Sequence, residues 1–242
     1  MERGDQPYSP AAAASALLWW LEAGVDVIVD ETPRDWLRPQ PKVAPQSPST
    51  APEPRQDAFP DQLDLFQAWL RDSDTLAFAS PSSPRLCPSG DPTSGLMIMI
   101  DMPATEDCRD GTLLAGEAGR LFDRMMAAIG RDRASLYLAA LSCFRSPDGR
   151  FTSETAHRCA TLARHHIGLA SPKALLLFGD ACSKALLGLP MARARGRWHE
   201  IDTHAGPIRA LVTISPSYLL DQPSAKGLAW ADLQMLVEGL KP

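Results

Sequence analysis

The sequence predicts a three-layer α/β/α sandwich built on a central four-stranded parallel sheet, and two observations carry that reading. Four apolar runs, at residues 96–100 (LMIMI), 136–141 (LYLAAL), 173–178 (KALLLF) and 207–214 (PIRALVTI), are nearly unbroken rather than alternating. That is the pattern of strands buried on both faces. After each run the periodicity becomes helical, over 117–129, 153–169, 181–187 and from about 224 to 240, and strands alternating with helices build parallel crossover units. Ligands of such sheets bind where loops leave the carboxyl ends of the strands, so chemistry is sought after Ile100, Leu141, Phe178 and Ile214.

The domain is expected to occupy residues 61–242, opening on a helix over 61–71 (DQLDLFQAWLR). Ahead of it, residues 1–30 form an N-terminal extension with a short amphipathic helix over 11–21 (AAAASALLWWL), because Ala and Leu favour helix and Trp19 and Trp20 give it a bulky face. That face serves either to dock on a protein surface or to stack on bases. The stretch 31–60 is a linker, with eight prolines between Pro33 and Pro60 among Ser, Gln and charged residues. It could also offer a polyproline helix to a partner.

A formal net charge of −5, with both signs mixed along the chain, excludes a strong basic footprint for nucleic acid, so any DNA contact is local. No stretch reaches the roughly 18 to 20 apolar residues of a membrane helix, and the N-terminus does not look like a secretory leader. A cytoplasmic protein without membrane contact is therefore expected. Five scattered cysteines, Cys87, Cys108, Cys143, Cys159 and Cys182, include no C-x-x-C pair, which argues against a disulfide framework or zinc knuckle and for reduced thiols.

The four loops carry recognisable motifs. The first holds Asp101-Met102-Pro103-Ala104-Thr105-Glu106-Asp107 and then Gly111-Thr-Leu-Leu114-Ala-Gly116-Glu-Ala-Gly119. The second is YLAALSCFRSPDGR, residues 137–150. The third has Pro172-Lys173, Gly179 and Ala185-Leu-Leu-Gly188, and the last has Ser215-Pro-Ser-Tyr-Leu-Leu220 with Leu228-Ala-Trp230-Ala-Asp-Leu233. In this order they resemble the G-E-x-P-G-x-x-E-D, G-x-P-F-x-G-x-A-G, Y-x-T-N-x-x-K-C-R-P-P-x-N-R, P-K-x-x-x-x-x-G and H-P-S-Y-L-L-R elements of the family 4, iron-sulfur uracil-DNA glycosylases. The likeness runs from about residue 76 to the end.

The resemblance implies removal of uracil from DNA by flipping the nucleotide out of the stack and hydrolysing its N-glycosidic bond. Matched residue for residue, the water-positioning acid falls on Asp101, the base-stacking aromatic on Leu114, the edge-reading amide on Ala140 and the oxyanion-stabilising histidine on Ser215. Met102 and Asp107 fall beside the base. Each of the four leading positions is substituted. Asp101 is one methylene shorter than Glu, a displacement of about 1.5 Å where such shifts can cost roughly a hundredfold. Leu114 has no π face, Ala140 reads nothing, and Ser215 offers a neutral hydroxyl. Loss of one preorganised donor costs about 3 kcal/mol, so losing two with the aromatic predicts little uracil excision. Another imidazole or amide reaching the pocket, from His199 or His204 for example, would change that expectation. Asp101 and Asp107 could equally be solvated loop acids.

The family binds a [4Fe-4S] cluster through four cysteines. The corresponding positions here are about Arg71, Asp74, Phe144 and Cys159, so only Cys159 matches and no cofactor is expected. For DNA contact the resemblance points to Ser217, Tyr218 and Leu219 in the wedging loop, although Asp221 replaces the family's arginine. The basic stretch Arg193, Arg195, Arg197 beside Trp198 is either a phosphate contact or a solvated loop. Three readings follow: a degenerate relative with the fold and residual DNA binding, an active glycosylase for uracil or another damaged base, and a module that recruits protein partners through its N-terminal helix.

Overall fold

The computed structural model describes residues 59–79 and 83–241. The helix expected over 11–21, nearly all of the Pro-rich segment and the boundary between them lie outside the described residues.

Eight helices and six strands follow in the described chain: α1 Leu63–Asp72, β1 Ser89–Gly90, β2 Leu96–Ile100, α2 Thr105–Asp110, α3 Gly116–Ala128, β3 Tyr137–Ala140, α4 Ser153–Ala170, β4 Ala174–Phe178, α5 Gly179–Leu187, α6 Met191–Ala194, β5 Trp198–Thr203, β6 Gly206–Thr213, α7 Pro216–Asp221 and α8 Lys226–Leu240. The strands form one sheet in the order β1-β3-β2-β4-β6-β5. The four expected runs are its centre, paired in parallel as β3-β2-β4-β6. The sheet is nonetheless mixed and six-stranded, because β1 and β5 close its two edges antiparallel. Neither edge strand has an apolar run to announce it: β1 is two exposed residues, and β5 buries only Ile201.

Alternation along the parallel strands sorts their side chains onto two faces. Met97, Met99, Tyr137, Leu175, Leu177 and Val212 point to one side, where Cys159, Ala163 and Ile167 of α4 and Cys182 and Leu186 of α5 cover them. Ile98, Leu138, Leu176, Phe178 and Leu211 point to the other, against Phe122 and Met126 of α3 and Leu233 and Leu236 of α8. Phe122 meets Phe178 edge to face at 6.1 Å. This is the expected three-layer arrangement. A smaller apolar cluster joins Phe66 and Leu70 of α1 to Leu76, Cys143 and Phe144.

Helix ends follow local chemistry. The Thr152 hydroxyl accepts from the Thr155 N–H at 3.2 Å and starts α4. Gly179, with φ +88°, carries the chain from β4 into α5 without an intervening loop, a backbone turn that suits only glycine.

One buried polar chain fastens α1 to the sheet. The Gln67 amide donates to the Tyr137 hydroxyl at 2.8 Å, and that hydroxyl lies 2.8 Å from His166 Nε2. With Gln67 donating to its oxygen, the phenol keeps its own proton available for a neutral imidazole, whose tautomer sets the direction of that bond. Burial, and secondarily the neighbouring His165, push the His166 imidazolium down to about 3 from an ordinary 6.5. The unfolded chain takes up this proton below 6.5 and the folded chain does not until about 3. The stability His166 provides is thus present above pH 6.5 and lost as the pH falls. Chemical denaturation across that window should show an acid limb of about 1.4 kcal/mol per pH unit at its steepest from this residue, and His166→Gln should flatten it.

Candidate functional site

The carboxyl ends of the central strands open into a cleft of about 840 Å³. Each strand delivers one residue to it: Asp101 after β2, Leu141 after β3, Gly179 after β4 and Ser215 after β6. A wall of Arg150, Phe151, His157 and Ala160 comes from the start of α4 and its approach, and Asp180 and Lys184 of α5 line the opposite side. The two residues read from sequence as catalytic, Asp101 and Ser215, therefore lie in one concavity at the sheet end where it was sought.

Asp101 is reached by solvent through the cleft mouth. Its carboxylate accepts the Met102 N–H at 2.8 Å. Desolvation by the surrounding protein nevertheless raises it above the ordinary carboxylate range, against the pull of that hydrogen bond and of Arg145. Ser215 is already engaged: its Oγ caps α7, accepting from the Tyr218 N–H at 3.4 Å, and lies 3.2 Å from the Ser217 hydroxyl.

The other sequence-assigned positions do not line the cleft. Leu114 is 8% exposed and packs with Ile100, Phe122 and Leu138 on the α3 face, where Ala140 also packs. Its backbone sits at φ +53°, a strained conformation for leucine. Arg133 holds it there, donating to the Leu113 and Leu114 carbonyls at 2.8 and 2.6 Å. Met102 is buried, with the Ser146 hydroxyl on its sulfur at 3.6 Å. Asp107 is no solvated loop acid. At 2% exposure it accepts the Ala104 N–H at 3.0 Å and the Ala115 N–H at 2.7 Å, bracing both ends of the segment around α2.

Two of the proposed DNA contacts are corrected by their surroundings. Leu219 is 1% exposed and packs against Leu121, Ile214 and Ala229, so it cannot wedge into a duplex. Arg195 belongs to no solvated loop: its guanidinium donates twice to Asp232 Oδ2, at 2.8 and 2.7 Å, and to the Leu228 carbonyl at 2.7 Å. Asp232 is 2% exposed and also accepts from the Thr213 hydroxyl at 2.8 Å. Ser217, Tyr218 and Arg197 remain open to solvent, Tyr218 at 50%.

Neither His199 nor His204 reaches the cleft. His199 Nε2 lies 2.8 Å from the Ala194 carbonyl, and His204 stacks on His165 at 5.0 Å. The imidazole that does line it is His157, which the sequence reading passed over, together with Arg150 and Lys184. The available signal was their place in segments following β3 and β4. No side-chain amide lines the cleft, and the chain contains no asparagine at all.

A four-thiolate cluster does not fit this donor set. All five cysteines are described. Cys182 is shut beneath α5 with its sulfur 3.5 Å from the Met99 carbonyl, Cys108 stands on α2, and among the described residues no three His, Cys, Asp or Glu side chains converge as metal ligands. Likewise, no helix among them is long and apolar enough to cross a membrane.

A model of the uracil DNA glycosylase superfamily matches residues 87–234. Curated proteins show the same likeness. A type-4 uracil-DNA glycosylase of Pyrobaculum aerophilum is 24% identical over 157 residues, covering 62% of this chain and 80% of that protein. Another from Archaeoglobus fulgidus is 19% identical over 156 residues, covering 62% and 78%.

Two outcomes follow from this geometry. Arg195→Ala strands the buried Asp232 carboxylate and should lower unfolding free energy by about 3 to 5 kcal/mol in urea titrations. Asp101 behaves oppositely. Its folded-state pKa is raised, so its ionisation favours the unfolded chain once the pH passes 3.8. Asp101→Asn should be more stable than the parent at neutral pH, with the difference closing below pH 3.8.

Proposed function

The chain belongs to the uracil DNA glycosylase superfamily, and from that premise we propose that it is a DNA-repair protein that keeps the nucleotide cleft while having little or no uracil excision. The observation that carries this reading is the absence of an amide and an imidazole at the two chain positions that match the family's uracil contacts, with no side-chain amide elsewhere in the cleft lining. Ala140 and Ser215 occupy those positions, Ser215 is spent on a helix cap, and no asparagine exists elsewhere to replace the reader. Excision requires groups that bind the leaving uracil anion more tightly than the ground state. One carboxylate can steady a sugar cation, but it cannot also bear the charge on the base.

Residual DNA binding fits the exposed residues at the cleft rim. Arg150 and Lys184 lie at its walls, Arg197 and Tyr218 are exposed on neighbouring elements, and an aromatic with local cations suits a single strand or a flipped nucleotide. Iron is not part of this reading, since the thiols do not gather as a cluster requires, and a cytoplasmic location follows from the repair role.

One observation favours a second reading. His157 and Asp101 share the cleft, so an imidazole from α4 is at hand to stabilise a leaving base, as an active glycosylase for uracil or another damaged base would need. Oligonucleotides carrying uracil, hypoxanthine or xanthine, single-stranded and paired, decide between the two. The first reading expects no base release above an Asp101→Asn control, with DNA binding that weakens as salt is raised. The second expects release of at least one of these bases that falls roughly a hundredfold or more in both Asp101→Asn and His157→Ala. Uracil release that depends on Asp101 would overturn the first reading outright.

A further inference from the structure

Two thiols meet where the segment entering β1 runs beside the loop after β3. The Leu86 N–H donates to the Cys143 carbonyl at 2.8 Å, which fixes the two backbones side by side. That pairing carries the next residue, Cys87, alongside Cys143, within electrostatic reach of its thiol. Both cysteines are free. Cys143 is 7% exposed within the cluster of Phe66, Leu70 and Phe144, whereas Cys87 is only half-buried. Arg85, whose guanidinium lies 5.0 Å from the centre of the Phe144 ring, and Arg71 supply positive charge around Cys87.

We propose that Cys87 and Cys143 form a redox-active dithiol that closes to an internal disulfide on reaction with a peroxide. The arrangement divides the labour. The neighbouring Cys143 thiol, with Arg85 and Arg71 behind it and burial opposing, brings the Cys87 thiol down to about 7. The same contact and deeper burial push Cys143 up, so it keeps its proton. Cys87 is thus the accessible thiolate and Cys143 the resolving thiol. In the first step Cys87 sulfur attacks a peroxide oxygen. The O–O bond breaks, Cys87 becomes a sulfenic acid, and the departing hydroxide takes a proton to become water. In the second, Cys143 sulfur attacks Cys87 sulfur and gives its proton to the leaving hydroxyl, so that the S–O bond breaks, the S–S bond forms and a second water leaves. Two thiols and one hydrogen peroxide give one disulfide and two waters. The bond joins the segment before β1 to a loop that also carries Leu141 at the cleft and Arg145, which donates to the Pro103 carbonyl at 3.1 Å.

The test uses the full chain, purified reduced, with one equivalent of hydrogen peroxide at pH 7, followed by alkylation and peptide mapping without reductant. The expected product is a single Cys87–Cys143 linked peptide pair, reversed by dithiothreitol and absent in Cys87→Ser. Before oxidation, iodoacetamide should modify Cys87 at least about tenfold faster than Cys159, a thiol that burial pushes up to about 11. Cys143→Ala should trap Cys87 as a dimedone-reactive sulfenic acid that the parent does not accumulate. Because Cys143 is a core residue, the half-buried Cys87 variant and the parent protein decide the matter if Cys143→Ala fails to fold. The proposal is overturned if either cysteine links elsewhere, if Cys87 stays reduced or passes directly to the sulfinic acid, or if the purified protein carries iron on these thiols.

Discussion

Everything in this molecule is conditioned by the burial of four parallel strands on both faces. Such strands have no solvent-facing side, so their residues cannot serve a ligand anywhere along their length. Polar side chains can gather around a ligand only where the chain leaves the sheet, and β2, β3, β4 and β6 all run in one direction. Asp101, Leu141, Gly179 and Ser215 converge for that reason alone. Gly179 sharpens the effect, since its positive φ lets α5 begin at the strand end and form one wall of the cleft.

Around that cleft, several charged groups that could have done chemistry instead hold loops in place. Asp107 satisfies two backbone donors that would otherwise be stranded in a nearly dry site. Arg133 grips two successive carbonyls of a segment whose Leu114 is strained. Arg195 and Asp232 lock the short α6 to α8 through paired hydrogen bonds. A charge committed to a buried partner is withdrawn from ligand binding, because releasing it would leave the partner uncompensated. The exposed Arg197 has no such commitment; its contact in the fold is with the Arg193 carbonyl at 3.0 Å.

The parallel strands and most of the helices were legible in the sequence because burial on two faces leaves continuous apolar runs, and helices that cover them repeat with their own period. The edge strands were not. Ser89–Gly90 and Trp198–Thr203 hold their places by backbone pairing, with polar side chains turned outward, and no pattern of apolar residues reports a hydrogen-bond ladder. At the site the motifs placed Asp101 and Ser215 together, but they could not separate Arg195 from Arg197, which look alike in a basic stretch. Only the approach of Asp232, thirty-seven residues later, distinguishes them. His157 was missed for the same reason: its helix was read correctly, but which turn of α4 borders the cleft depends on packing.

One acid of the cleft, Asp101, is not accounted for by packing alone. Asp101 makes no ion pair among the described residues, and its hydrogen bond to Met102 is one that a neutral amide could make equally well. Its ionisation is opposed by the protein around it, so on stability alone the charge is a cost. Asp107 shows the contrast, for there two backbone donors reward the acid directly. A carboxylate whose ionisation is opposed by its surroundings, in a cavity lined by Arg150, His157 and Lys184, is a candidate for ligand contact rather than for holding the fold. The cleft thus sets an acid without an ion pair among nearby basic side chains, an arrangement unlike that of the committed Asp107.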